Sequence, residues 1–388
     1  MIDEIRLENF KRFRNLTLKV ADLTVLTGAN GAGKTSVLHS LLLARQMARY
    51  PDRRHVELNG VDTLELGGPE DVIHREAGED LAAVEVVDSD RECRRWSFRA
   101  TSSSDTQALA IDMRTRTIDT RTLNARVVER PRDYTGVLAR PAPQFCYLCA
   151  ERLGPRDVLR ASAANVAELD VGPRGEFVAQ VLASFDRSRV SAGRVESSAI
   201  EEQISSLRHQ TESWMTKIVR PTQIDAEWFP DTSVTRLRFK TPGLRSEWTR
   251  APNAGFGVSY ALPIVVAALR AEVGGMLLVE NPEAHLHPAG QSRIGGFLAQ
   301  VAADGVQIIL ETHSDHVLNG IRVAVADGSA ALDQDQVVIH FFRAEEDGDP
   351  VLQSMELRRT GQLSAWPTGF FDQAQVDLAA LASKRRRD

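Results

Sequence analysis

The stretch Gly28-Ala29-Asn30-Gly31-Ala32-Gly33-Lys34-Thr35 decides the fold. An apolar run, Leu23 to Leu26, leads into it, and Val37, Leu38, Leu41, Leu42 and Met47 follow at helical spacing until Pro51 stops the helix. Strand, glycine-rich loop and helix in that order are the context that G-x-x-x-x-G-K-[ST] needs to hold phosphate. Glycines let backbone N–H groups turn into one concavity, and the helix N-terminus adds a favourable potential for an anion. Asn30, Gly31, Ala32, Gly33, Lys34, Thr35 and Ser36 are therefore the expected nucleotide contacts, with Lys34 on the β- and γ-phosphates and the Thr35 hydroxyl on Mg2+.

Before this loop, Ile2, Ile5 and Leu7, then Leu16, Leu18 and Val20, alternate apolar with polar and predict strands. After it, Leu81 to Val87, Arg95 to Ala100 and Ala108 to Met113 are short apolar runs between turn residues, which predicts an antiparallel region over 56–145. Over 146–250, Gly172 to Phe185 and Ser198 to Ile218 read as helices and Arg236 to Phe239 as a strand, a mixed lobe without a heptad repeat. Over 251–335 the α/β pattern returns: Met276 to Val279 as a buried strand, Ala289 to Ala302 as a helix, Val306 to Leu310 as a second buried strand. Segments 1–55 and 251–335 must then share one sheet. Val337 to Phe342 and Val351 to Leu357, within 336–388, predict a hairpin with Asp347-Gly348-Asp349 near its turn.

Composition narrows the function classes. With 388 residues, 43% apolar and 26% charged, the chain matches packed globular proteins. The net charge of −6 is not the footprint of a nucleic-acid binder, so any DNA contact must use a local patch such as Lys384 to Arg387. The longest apolar run, Tyr260 to Leu269, is too short for a bilayer, and Met1 to Phe13 carries a strand pattern rather than an export signal; no membrane role and a cytoplasmic location are expected. Three cysteines, Cys93, Cys146 and Cys149, suit a reducing compartment, and Cys146-x-x-Cys149 without a second pair reads as buried thiols rather than a zinc site.

Two further stretches carry chemistry. Met276-Leu277-Leu278-Val279-Glu280 is an apolar strand delivering a carboxylate to the sheet edge, where Glu280 would serve the metal or its water. The strand Val306 to Leu310 runs into Glu311-Thr312-His313-Ser314-Asp315-His316, placing an imidazole beside the phosphate loop.

These elements in this order resemble the ABC ATPase heads related to SMC, Rad50, RecF and the OLD-type ATPases. More closely, the chain resembles bacterial AAA-family ATPases with a C-terminal DUF3696 region. The stretches that carry the likeness are Tyr147 to Arg156, Gly255-Phe256-Gly257-Val258-Ser259-Tyr260, Glu280 to Pro288, Glu311 to His316 with Asn319 to Arg322, and Trp366 to Asp372. The resemblance implies an α/β fold: one ABC ATPase head with a RecA-like mixed sheet, an antiparallel β-subdomain and an inserted helical lobe. It implies that Gly255, Gly257 and Ser259 form the signature loop that caps the γ-phosphate of a sister chain's ATP, so that each site needs two copies. It also implies that His313 is the switch histidine and that Asn9 to Phe13 lie near adenine or phosphate, though Phe10 and Phe13 read equally well as core. Such proteins resemble parts of bacterial defence and genome-maintenance operons, which points to a separate effector protein from the same operon as partner.

One departure matters. ABC heads end the acidic strand with Asp then Glu, whereas this chain has Glu280-Asn281, and an amide cannot take a proton from water. General-base catalysis is worth ~10²–10⁴-fold, so either Glu283 polarises the water or turnover is slow. Lys34, Glu280, Glu283 and His313 are thus the expected catalytic set. An ATP-hydrolysing sensor, a slow ATP-sensing scaffold and a RecF- or SMC-like DNA-binding protein remain open. A dedicated metal cluster at His285, His287, His313, Asp315 and His316 is disfavoured, because the ATPase reading explains the same residues. Glu151-Arg152 reads either as a stand-in for the glutamine loop of transporters or as an ion pair. The residues after His316 lack the acidic cluster of a Toprim nuclease.

Overall fold

The computed structural model describes residues 1–53, 55–60, 64–99, 108–112, 116–117, 126–127, 134–196, 205–243, 247–343, 349–372, 376–378 and 380–381, and for 108–112, 116–117 and 126–127 the backbone alone. Along the chain come β1 (Ile2–Phe10), β2 (Phe13–Lys19), β3 (Leu23–Gly28), α1 (Lys34–Arg49), β4 (His55–Glu57), β5 (Leu81–Asp88), β6 (Cys93–Arg99), β7 (Ala108–Asp112) and β8 (Phe145–Leu148). Then follow α2 (Val178–Phe185), α3 (Leu207–Ile218), β9 (Gln223–Phe229), β10 (Val234–Lys240), α4 (Phe256–Arg270), β11 (Met276–Glu280), α5 (Pro288–Ala303), β12 (Gln307–Glu311), α6 (Asp315–Ala326), β13 (Val337–Arg343) and β14 (Val351–Glu356).

The central sheet runs β8-β11-β12-β3-β13-β14, parallel except for the final pair. Its inner strands are buried on both faces, as their continuous apolar runs require. Because side chains alternate across a strand, each strand feeds two cores. Leu23, Val25, Leu277, Val279, Ile308 and Leu310 face the layer containing α4, α5 and α6. Leu26, Met276, Leu278, Ile309, Phe145 and Tyr147 face α1 and the second sheet. The same parity carries Glu280 and Glu311, each two residues beyond a member of this second set, to the α1 side. That is the physical origin of the site.

The second sheet runs β2-β1-β5-β6-β7-β4 and is antiparallel throughout. It takes its first two strands from the N-terminal segment, so of the three early strands only β3 enters the central sheet. The lobe joins α2 and α3 to a small sheet of β9, β10, Leu159–Arg160 and Thr249–Arg250.

Some expectations shift. The helix expected from Gly172 begins at Val178, because Gly172 and Gly175 both hold φ of +76° and Pro173 lies between them, which keeps the segment out of helical geometry. Of the helix expected from Ser198, residues 198–204 lie outside the described residues, and the described part spans Leu207–Ile218. Residues 113 and 100, Asp347, Gly348 and the basic run Lys384 to Arg387 also lie outside the described residues. The C-terminal hairpin is present, and β13 lies parallel to β3 with Phe342 opposite Gly28. Among the described residues no helix is long and apolar enough to cross a membrane.

Candidate functional site

The loop after β3 closes over an aromatic floor. Gly33 has φ of +99°, and a Cβ there would fall 2.4 Å from the Phe13 ring, so only glycine can turn the chain into α1 at this point. Phe13 and Phe10 are core residues at 1% and 0% exposure, which removes both rings as base contacts. Arg12, between them, remains on the surface, and its guanidinium donates to the Gly31 carbonyl at 2.7 Å. Beside it lies a polar groove of about 910 Å³ lined by Lys11, Arg12, Arg14, Ser36, Asp71 and His74. Lys34 is 3% exposed, and its ammonium donates to the carbonyls of Gly28 and Ala29 at 3.1 and 2.8 Å. Burial lowers its pKa. The first-turn N–H groups of α1 lack intrahelical acceptors by construction and cluster at the same end.

Facing this end, β11 and β12 place Glu280 and Glu311 in register. Glu280 accepts from the Tyr147 hydroxyl at 2.7 Å and the Ala150 N–H at 3.2 Å. Burial outweighs both contacts and raises the Glu280 pKa, while burial and the neighbouring carboxylate push the Tyr147 hydroxyl above the usual phenol range, so it stays a donor. Glu311 accepts from the Thr35 hydroxyl through both oxygens, at 2.8 and 3.1 Å, and lies 3.9 Å from the Lys34 ammonium. Burial first and Glu280 second push its pKa up to about 7. Thr35 thus faces Glu311, not Glu280. The sequence reading gave Glu311 no role, although its signal was the one used for Glu280: an apolar strand ending in Glu.

Glu283 lies in the turn after β11 and is held by the loop after β12. Its two oxygens accept from the Thr312 hydroxyl and the His313 N–H, each at 2.8 Å. The His313 ring is 39% exposed, with Nε2 4.0 Å from Glu311, and its pKa is lowered by burial and by Lys34, so the imidazole is neutral at physiological pH. Asn281 has φ of +44°, donates its N–H to the Glu311 carbonyl at 2.8 Å, and has no partner for its buried Oδ1 among the described residues. The buried Arg152 donates to the carbonyls of Cys149, Glu280 and Asn281 at 2.9, 2.7 and 2.6 Å. Glu151 turns outward and pairs with Arg174, so of the two readings of Glu151-Arg152 the ion pair is made by Glu151 with Arg174 rather than with Arg152.

Gly255, Gly257 and Ser259 lie at the start of α4. Gly255 precedes the helix with φ of +92°, and a Cβ on Gly257 would come 2.9 Å from the His285 carbonyl, so the helix start presses on the turn after Glu283. His285 stacks with Phe256 and Tyr260 at 5.2 and 4.4 Å. His287 caps α5. Among the described residues no three His, Cys, Asp or Glu side chains are placed to hold a metal by themselves, and Cys93, Cys146 and Cys149 are buried. The hard oxygen donors Thr35, Glu280 and Glu311 fit a Mg2+ that takes its remaining ligands from phosphate.

Family models agree with this geometry. A model described as "AAA ATPase domain" matches residues 1–90, one described as "AAA domain, putative AbiEii toxin, Type IV TA system" matches 166–319, and the DUF3696 model matches 332–381. The SMC head bound to the C-winged helix domain of ScpA is 13% identical, with 92% of this chain and 98% of that one covered at a TM-score of 0.51. An SMC head from Pyrococcus furiosus with an extended coiled coil, bound to the C-terminal domain of ScpA, is 12% identical, with coverages of 92% and 96% and a TM-score of 0.50. Segments of the chain thus match AAA ATPase-domain and DUF3696 models, and its fold is similar to that of SMC heads. At these identities the likeness to SMC heads is one of fold. No curated protein matches the chain. The segment matched by the DUF3696 model includes β13 and β14, and thus supplies one neighbour of the P-loop strand.

Proposed function

We propose that this ATPase binds ATP and Mg2+ at the P-loop and closes two such sites between two copies of itself, which gates a separate effector protein. The observation that carries this reading is the meeting of Lys34 and Thr35 with Glu311, which is in register with Glu280 at the C-terminal edge of one parallel sheet. The groove beside Arg12 has the size and polarity for the base and ribose. Lys34 would leave the carbonyls of Gly28 and Ala29 for the β- and γ-phosphates. Thr35 and Glu280 are the groups assigned to Mg2+, which when bound supplies charge neutralisation on the phosphates. Glu283 takes the proton of the attacking water while the bond to the leaving β-phosphate oxygen breaks, and Thr312 and His313 hold it in place for this. Asn281 cannot act as base, so turnover depends on Glu283.

The dimer follows from Gly255, Gly257 and Ser259, which start a helix with an exposed end, Phe256 being 54% exposed. A helix N-terminus with a hydroxyl suits a sister chain's γ-phosphate. The related heads whose structures are bound to ScpA domains support a protein effector, and the toxin-system wording of one family model supports a place in bacterial defence against phage. The test is capture of co-encoded proteins with and without ATP, beside a turnover assay. ATP-dependent capture by the wild type, lost in Lys34→Ala, supports the reading. Equal capture by both in both conditions contradicts it.

A further inference from the structure

Glu311 is 5% exposed at the end of the central strand β12, between β11 and β3. An ionised carboxylate taken from water costs several kcal/mol unless donors surround it. Glu280, one strand over, has such donors: a phenol hydroxyl and a backbone N–H, one for each oxygen. Glu311 has the Thr35 hydroxyl, shared by both of its oxygens, and an ammonium beyond hydrogen-bond distance. The residue that fills this position is thus an acid whose nearest polar neighbours are the two P-loop side chains that serve phosphate and metal. Strand parity fixes the arrangement, since Ile309 packs on the α1 side and Glu311, two residues on, must face α1.

We propose that Glu311, with Thr35, directly ligates the divalent cation that accompanies the nucleotide, and that Glu280, fixed by Tyr147 and the Ala150 N–H, acts on that cation through water. This rests on the nucleotide reading above and changes which carboxylate touches the metal. The chemistry is that of a hard cation meeting a hydroxyl and a carboxylate oxygen already 2.8 Å apart. Glu280 has the poorer geometry for direct ligation, because both its oxygens are engaged from the side of β8.

The experiment is a Mn2+ titration followed by electron paramagnetic resonance on the full chain with adenylyl imidodiphosphate, beside fluorescent-nucleotide binding in EDTA. Glu311→Gln is close in shape and leaves Thr35 an acceptor. It should weaken Mn2+ binding at least ~10-fold while nucleotide affinity in EDTA stays level or rises. Glu311→Asp, which keeps the charge but retracts it, should lie between, and Glu280→Gln should weaken Mn2+ less than Glu311→Gln. Wild-type Mn2+ affinity in Glu311→Gln, or a larger loss in Glu280→Gln, overturns the assignment. No nucleotide binding by the wild type in either condition overturns the nucleotide reading itself.

Discussion

Arg152 is the fastening between the acidic strand end and the loop after β8: its guanidinium donates to the carbonyl of Asn281 at 2.6 Å while also meeting that of Glu280 at 2.7 Å. Carbonyls that follow a parallel strand have no sheet partner, and an Arg fork satisfies several at once. Its ring neighbour is Tyr260 of α4, 5.4 Å away, so one cation touches both the acidic strand end and the helix that begins after Gly255.

Arg152→Met keeps the stem and deletes the donors. Three buried carbonyls are then left short, each worth about 1–3 kcal/mol. Chemical denaturation should show a loss of several kcal/mol, and turnover should fall more than nucleotide affinity, because Lys34 has no bond to Arg152. Unchanged turnover in the folded variant would remove Arg152 from the positioning of Glu280 and Asn281.

Glu283→Gln replaces an acceptor-only group with one that presents N–H to the Thr312 hydroxyl or the His313 amide. Turnover should drop on the order of 10² or more while ATP binding persists. Wild-type turnover would exclude Glu283 as the base.

Gly33→Ala forces a Cβ against the Phe13 ring at a backbone angle that L residues rarely adopt. Nucleotide affinity should fall at least tenfold, about 1.4 kcal/mol or more in binding. Phe13→Ala added to it should restore only part of that loss, since the φ strain remains. Full restoration would show that the ring contact alone matters.

His340 concerns acid stability and lies away from the site. It is fully buried, its Nε2 donating to the Lys19 carbonyl at 2.7 Å and its Nδ1 accepting from Ser354 at 2.9 Å. Burial lowers its pKa to about 4, against 6.5 when unfolded. Between those values the unfolded chain binds the extra proton, so stability is intact above pH 6.5 and is lost as pH falls toward 4, by up to about 3 kcal/mol. His340→Gln keeps the donor and cannot titrate, so denaturation midpoints for this variant should fall less steeply with acid over that window. Identical slopes would assign the acid sensitivity elsewhere.

Much of this was legible from residue order. The P-loop strand and helix, the acidic strand, the switch loop and the terminal hairpin all follow from period and turn chemistry, which act locally. What was not legible is long-range. Nothing in Ile2 to Leu18 says that β1 pairs with β5 instead of β3. Phe13 was ambiguous until the P-loop settled on its ring. Glu311 was read past because His313 beside it is the more familiar signal, and its pairing with Thr35 depends on β12 lying between β11 and β3, a choice of neighbours that no local pattern encodes. Arg152 stands beside Glu151 in sequence, yet two of its three carbonyl partners, those of Glu280 and Asn281, lie more than a hundred residues away.

The central claim is that two chains seal each nucleotide with Ser259. Sedimentation velocity with ATP and Mg2+, on wild type, Lys34→Ala and Ser259→Arg, tests it most directly. The account predicts a shift from monomer to dimer on ATP addition for the wild type and no shift for either variant, with Ser259→Arg still binding ATP. A wild-type sedimentation coefficient indifferent to ATP, or an ATP-driven dimer that Ser259→Arg forms equally well, would contradict it.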